Sequence, residues 1–111
     1  MIKILILRDY LGNIRRLKVS GHSGYDEIGR DIICSAVSAI VQTTVIGLSN
    51  VVGIKPLYHQ ESGLADLRIP DGLSQEKIDE ANIVLETGLL GLKSIEAGYS
   101  EYVDIRERKV E

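Results

Sequence analysis

The stretch I-R-R-L-K-V-S-G-H-S-G-Y-D-E-I-G-R-D-I-I-C-S-A-V-S-A-I-V, Ile14 to Val41, changes its hydrophobic period part-way along. At first Leu17 and Val19 alternate with Arg16, Lys18 and Ser20, the period of two expected of a strand with one wet face. From Asp31 onward Ile33, Val37, Ile40, Thr44, Leu48 and Val51 recur at steps of three and four, which predicts an amphipathic helix of about twenty residues. Asp31 is placed to cap that helix with its carboxylate, and Gly53 to end it. Between the two periods Gly21 to Arg30 is polar and rich in glycine, hence a loop.

Working outward, Ile2 to Arg8 is dense in Ile and Leu on both faces, which suits a well-covered strand. Turn residues from Asp9 to Asn13, with Gly12-Asn13 as pivot, join it to Ile14–Ser20 as a β-hairpin. After the helix, Ile54–Glu61 and Leu64–Ile69 form a second hairpin about Ser62-Gly63, with Ala65, Leu67 and Ile69 on its inner face. Pro70, Asp71 and Gly72 break the pattern. Ser74 then caps a second helix whose buried face is read as Ile78, Leu85, Leu89, Leu92, Ile95 and Tyr99. The tail from Tyr102 is charged, with a short strand proposed at Tyr102 to Ile105. The expectation is one domain over residues 1–111 of α+β class. It is a two-layer ββαββα arrangement, with a largely antiparallel sheet and two amphipathic helices on one face.

Composition excludes several classes. A single cysteine rules out an internal disulfide and fits a reducing compartment, so a cytoplasmic location is expected. No secretory leader is recognised, and every apolar run is read as too short to span a bilayer. A net charge of −3 argues against a general nucleic-acid-binding surface, although a basic polypeptide partner is acceptable. The expectations are therefore no membrane and no nucleic-acid partner.

Two motifs fit only in part. Gly24-Tyr-Asp-Glu-Ile-Gly29-Arg30-Asp31 has the glycine spacing of a phosphate-binding loop, but it lacks the Lys and Ser/Thr that hold phosphate and magnesium. Asp26, Glu27 and Asp31 would repel the ligand. Gly21-His22-Ser23-Gly24 brings its second glycine one residue too early for a nucleophile elbow. His22, Cys34 and His59 show no paired ligand spacing, so neither a metal nor a cofactor is expected. His59 is read as a solvated partner of Asp66 across the second hairpin.

Cys34 and His22 carry the remaining chemistry. A lone cysteine beside an apolar stripe is commonly a small packed hydrophobe, and a loop histidine is commonly solvated. Against this, a cap at Asp31 places Cys34 in the first helical turn, where partial positive charge favours a thiolate and free backbone N–H groups offer an oxyanion site. Twelve residue steps let His22 fold back onto Cys34 without obliging it to. Asp31 has two open roles, helix cap or orienter of the imidazole.

The elements Gly21-His22, Gly29-Arg30-Asp31 and Cys34-Ser35-Ala36-Val37-Ser38 together resemble the ribosomal-processing cysteine protease family, Prp. The segment Leu85 to Glu96, the chain length and the element order are also similar to that family. The resemblance implies a cysteine endopeptidase that removes the N-terminal extension of a large-subunit ribosomal protein, the twenty-seventh in the standard numbering. It implies Cys34 as nucleophile, His22 as general base and acid, a substrate groove bordered by Gly21, Tyr25 and Ile28, and a homodimer. It also implies that the loop glycines let the His–Cys loop order around substrate. The alternative reading is a non-enzymatic ribosome-associated or assembly module on the same fold with a packed Cys34, and a small nucleotide-binding protein is a third.

Overall fold

The computed structural model describes residues 1–27 and 31–110. Its elements run β1 (Ile2–Arg8), β2 (Ile14–Ser20), α1 (Ile32–Ile46) with a π-helical continuation (Gly47–Val52), β3 (Leu57–Glu61), β4 (Leu64–Arg68), α2 (Gln75–Gly98) and β5 (Val103–Lys109). The strands form one sheet in the order β3-β4-β2-β1-β5, antiparallel except for the parallel β1–β5 pair. The two-layer α+β architecture is as expected, with a fifth strand added.

That strand is seven residues long, where the sequence suggested a short one. Asp104, Arg106, Glu107, Arg108 and Lys109 disguise it, because charge on an edge strand blocks further pairing and erases the apolar period. Only Val103 is fully buried in it. Its partner β1 is central, which is why Ile2, Ile4 and Ile6 are all buried. Arg8 ties the edge down. Its guanidinium bonds Glu86 of α2 through two N–H groups, each at 2.8 Å, and Glu107 of β5 at 2.9 and 3.0 Å.

The first helix reaches the stop predicted at Gly53, which sits at φ +83°, but its stripe is displaced. Ile33, Val37, Val41, Thr44, Leu48 and Val52 are buried, whereas Val51 is 80% exposed. The last turn explains the shift at the helix end. The Gly53 N–H bonds the Leu48 carbonyl at 3.0 Å, five residues back, so the wider π turn carries Val52 inward in place of Val51. Helix and continuation make 21 residues, Ile32–Val52, long and apolar enough by composition to cross a membrane. This corrects the reading that every apolar run is too short. In this fold the helix lies on the sheet and buries the stripe just named.

In α2 the buried residues are Ala81, Leu85, Gly88, Leu89 and Leu92. Ile78 and Ile95 are half-buried, and Tyr99 lies beyond the helix end, 39% exposed. The helices cross closely where glycine faces side chain. A Cβ on Gly91 would come 3.1 Å from Ile40, one on Gly47 3.0 Å from Val84, and one on Gly88 would collide with the Thr44 hydroxyl. Gly88→Ala is therefore expected to destabilise by about 1–3 kcal/mol through overpacking, despite the better helix propensity of alanine. Thermal unfolding checks it, with a loss of at least about 4 °C expected for a domain of this size.

The second hairpin has the predicted two-residue turn, since Glu61 pairs with Leu64. His59 stands opposite Asp66 as expected, but the ion pair does not form. Arg16 takes the Asp66 carboxylate with bonds of 2.8 and 2.9 Å, and the nearest acid to His59 is Glu61 at 3.8 Å.

Candidate active site

Two segments converge where β2 ends and α1 begins. Asp31 is the N-cap of α1. Its Oδ1 accepts from the Ile33 and Cys34 backbone N–H groups, both at 3.0 Å. Its Oδ2 accepts from the Ser23 hydroxyl, whose oxygen in turn accepts from the Tyr25 N–H at 3.0 Å. The Ser23 N–H donates to Cys34 Sγ at 3.4 Å. Ser23 and Asp31 are both 4% exposed. One buried network thus joins the loop after β2, the helix cap and the thiol.

This network occupies three of the donors that the first turn was expected to offer. The Ile33 and Cys34 N–H groups serve the Asp31 carboxylate, and the Ser35 N–H bonds the Asp31 carbonyl at 3.0 Å. The donor aimed at the sulfur is instead the Ser23 amide. Asp31 itself makes no bond to His22 among the described residues; its partners are Ser23 and the helix amides. Burial acts to raise the Asp31 pKa, but donation from Ser23, from the Cys34 backbone and side chain and from Ile33 outweighs it and holds the value at about 2.

A carboxylate held below its ordinary value near 3.8 stabilises the fold fully above that pH, and the contribution drains away as pH falls toward 2. Asp31→Asn keeps an acceptor for the cap but has no charge to lose. Chemical denaturation across pH is expected to show wild type more stable than Asp31→Asn above about pH 4, with the gap closing toward pH 2. A pH-independent gap would mean that the charge contributes nothing.

His22 sits immediately beyond β2, exposed, against the turn between β3 and β4. Gly63, at φ +74°, makes the room: a Cβ there would lie 3.0 Å from His22 Nε2. The Gly21 N–H bonds the Gly63 carbonyl at 2.9 Å, so the same turn grips the chain one residue before the imidazole. Gly21, at φ +89°, could bear no side chain either, because its Cβ would meet the Met1 carbonyl oxygen.

The imidazole and the thiol line one cavity of about 240 Å³, walled also by Ile2, Val19, Val37, Ser38 and the turn residues 60–65. No hydrogen bond joins them directly among the described residues. Tyr25 turns to a different neighbourhood, packing edge-on against Tyr99 and Tyr102 at ring separations of 6.0 and 5.3 Å. Ile28 lies outside the described residues. Sequence reasoning missed the contributions of Ser23 and Gly63. The Ser62-Gly63 turn was legible, but its place beside His22 follows from the pairing of Ser20 with Leu64, a long-range contact. A larger cavity of about 460 Å³ lies between the helices, and among the described residues no titratable group lines it.

The profile of the family described as cysteine protease Prp matches residues 1–104. The chain belongs to this family. Among Prp relatives, the ribosomal processing cysteine protease Prp of Bacillus subtilis is 27% identical over 103 residues, covering 91% of this chain and 92% of that protein. The Staphylococcus aureus Prp of the same description is 29% identical, covering 93% and 95%. A crystal structure of S. aureus Prp with a covalently linked product peptide superposes with a TM-score of 0.87 at 26% identity, covering 97% of this chain and all of that one. A second, with a substrate peptide, gives 0.83 at 25% identity. Prp membership selects between the two whole-chain readings: this is a cysteine protease, not an assembly module with an idle thiol.

Proposed function

We propose that this chain removes the N-terminal extension of a large-subunit ribosomal protein, the twenty-seventh, with Cys34 as nucleophile and His22 as general base and acid. One observation carries the assignment of roles. A cysteine protease needs a thiol, this chain has a single cysteine, and that cysteine shares a cavity wall with His22. The substrate assignment is supported by the relatives, which are described as ribosomal processing proteases.

In the reaction, His22 takes the Cys34 thiol proton and the resulting thiolate attacks the scissile carbonyl, forming the S–C bond and an oxyanion. The Ser23 N–H, which donates to the sulfur at 3.4 Å, is a backbone donor beside the attacking atom. The C–N bond then breaks as the His22 imidazolium gives its proton to the leaving amine. Water, deprotonated by His22, adds to the thioester and releases the acid product and the thiol. Imidazole and sulfur close on each other around bound peptide, a tightening common to catalytic hydrogen bonds. The decisive experiment incubates the protein with a peptide copying the extension and its junction and identifies the products by mass. A single cut at the junction is expected. An intact peptide, or equal cutting of a scrambled one, would overturn the substrate assignment.

The same proposal includes a cytoplasmic location, where a lone thiol stays reduced, and a homodimer. Support for the dimer is the outer side of the helices. Residues 32–52 carry no charge, and Ile46, Ile83 and Leu90 are 57%, 68% and 68% exposed around the 460 Å³ apolar cleft. Light scattering is expected to give twice the 12.2 kDa chain mass, and Ile83→Glu to return it to one chain. A wild-type monomer at micromolar concentration would sink this part.

A further inference from the structure

Among the described residues nothing covers the sheet's other face, and the strand register sorts charge onto it. Lys3, Leu5 and Leu7 of β1 stand beside Ser20, Lys18 and Arg16 of β2 and beside Asp104, Arg106 and Arg108 of β5. Arg68 and Asp66 of β4 extend the face behind Arg16 and Lys18, and Glu61 of β3 lies at its margin. The face therefore holds six of the chain's 13 Lys and Arg residues but only three of its 16 Asp and Glu residues. A chain with net charge −3 carries one distinctly cationic side.

The acids on this side are largely occupied. Asp66 is held by Arg16 and Arg68, and Asp104 by Arg106 at 3.0 Å. Lys3, Lys18 and Arg108 have no ion-pair partner among the described residues. Lys3, Lys18 and Arg106 rim a depression of about 420 Å³, floored by Leu5 and bordered by Ser20 and Asp104. With strands about 4.8 Å apart, the cations of β2, β1 and β5 spread across about 10 Å. That suits a run of regularly spaced anions better than one small anion.

We propose that this face binds the phosphate backbone of a nucleic-acid duplex without reading its sequence. The one aromatic side chain at these register positions is His59 on the edge strand β3, away from the unpaired cations of β1, β2 and β5, so unpaired bases would find no row of stacking platforms beside them. An acidic polypeptide would need aromatic or aliphatic anchor pockets for specific docking, and among the described residues the only aliphatic ones lining the depression are Ile4 and Leu5. Duplex phosphates need only the cations. The Cys34 cavity lies on the helix side, so a duplex on the open face leaves it accessible. The proposal stands independently of the substrate reading.

The test is fluorescence anisotropy with a labelled RNA duplex of about 20 base pairs, titrated from about 50 to 200 mM salt. Binding at low salt is expected, with log K falling against log salt at a slope of about −3 for three freed cations. Lys3→Glu combined with Lys18→Glu is expected to weaken binding at least about tenfold and to flatten the slope by about 2, with melting temperature and short-peptide turnover unchanged. No binding at low salt, or equal binding by the double variant, would overturn the proposal. So would displacement of the duplex by polyglutamate at equal charge concentration, which would assign the face to acidic polypeptides.

Discussion

Cys34→Ala is expected to abolish turnover of the extension peptide while leaving the fold in place. The chemistry has no substitute nucleophile, because the chain contains no second cysteine and Ser23 is buried with its hydroxyl committed to Asp31. The structural cost is small. Cys34 is only partly buried, and alanine forfeits the thiol's contacts with the Ser23 amide and the Asp31 carboxylate and some packing on the core, about 1–2 kcal/mol. Mass spectrometry should show a covalent acyl-enzyme in brief wild-type incubations and none in the variant. Residual cutting by Cys34→Ala at the wild-type rate would remove Cys34 from the mechanism.

Gly63→Ala is expected to lower turnover by about tenfold to a hundredfold, although the residue bears no functional group. The new methyl would press on His22 Nε2 at 3.0 Å and shift the imidazole off its seat; misplacement by about 1 Å costs about a hundredfold, which sets the upper end of the range. Replacing the proposed base, in His22→Ala, should cost about 10²–10⁴. Gly63→Ala also strains a left-handed backbone, so a matched control is needed. Gly12, at φ +90° with open space around its Cβ position, supplies it: Gly12→Ala should show a similar loss of stability and full turnover. Equal turnover by Gly63→Ala and wild type, alongside an inactive His22→Ala, would show that the turn does not seat the base.

The parts of this molecule that depend on neighbours in sequence were legible. Period two in Ile14–Ser20, the turn at Ser62-Gly63, the caps at Asp31 and Ser74 and the stop at Gly53 each rest on interactions spanning a few residues. Two readings strained at the same boundary. Val51 was taken as buried because a uniform 3.6-residue pitch was assumed, and the π turn changed it. Strand β5 was shortened because edge position replaces apolar alternation with charge.

The sequence by itself determined that one thiol, one nearby histidine and a capped helix start lie within a glycine-rich segment, and that strands and helices alternate in an α+β order. Tertiary structure decided what those groups face. Pairing of β2 with β4 brought Gly63 under His22, across more than forty positions of chain. Folding of the loop aimed the Ser23 amide, and not the first-turn amides, at the sulfur. Register across five strands gathered cations that composition averages away. Each depends on contacts between distant residues, which pattern in a single chain does not encode locally.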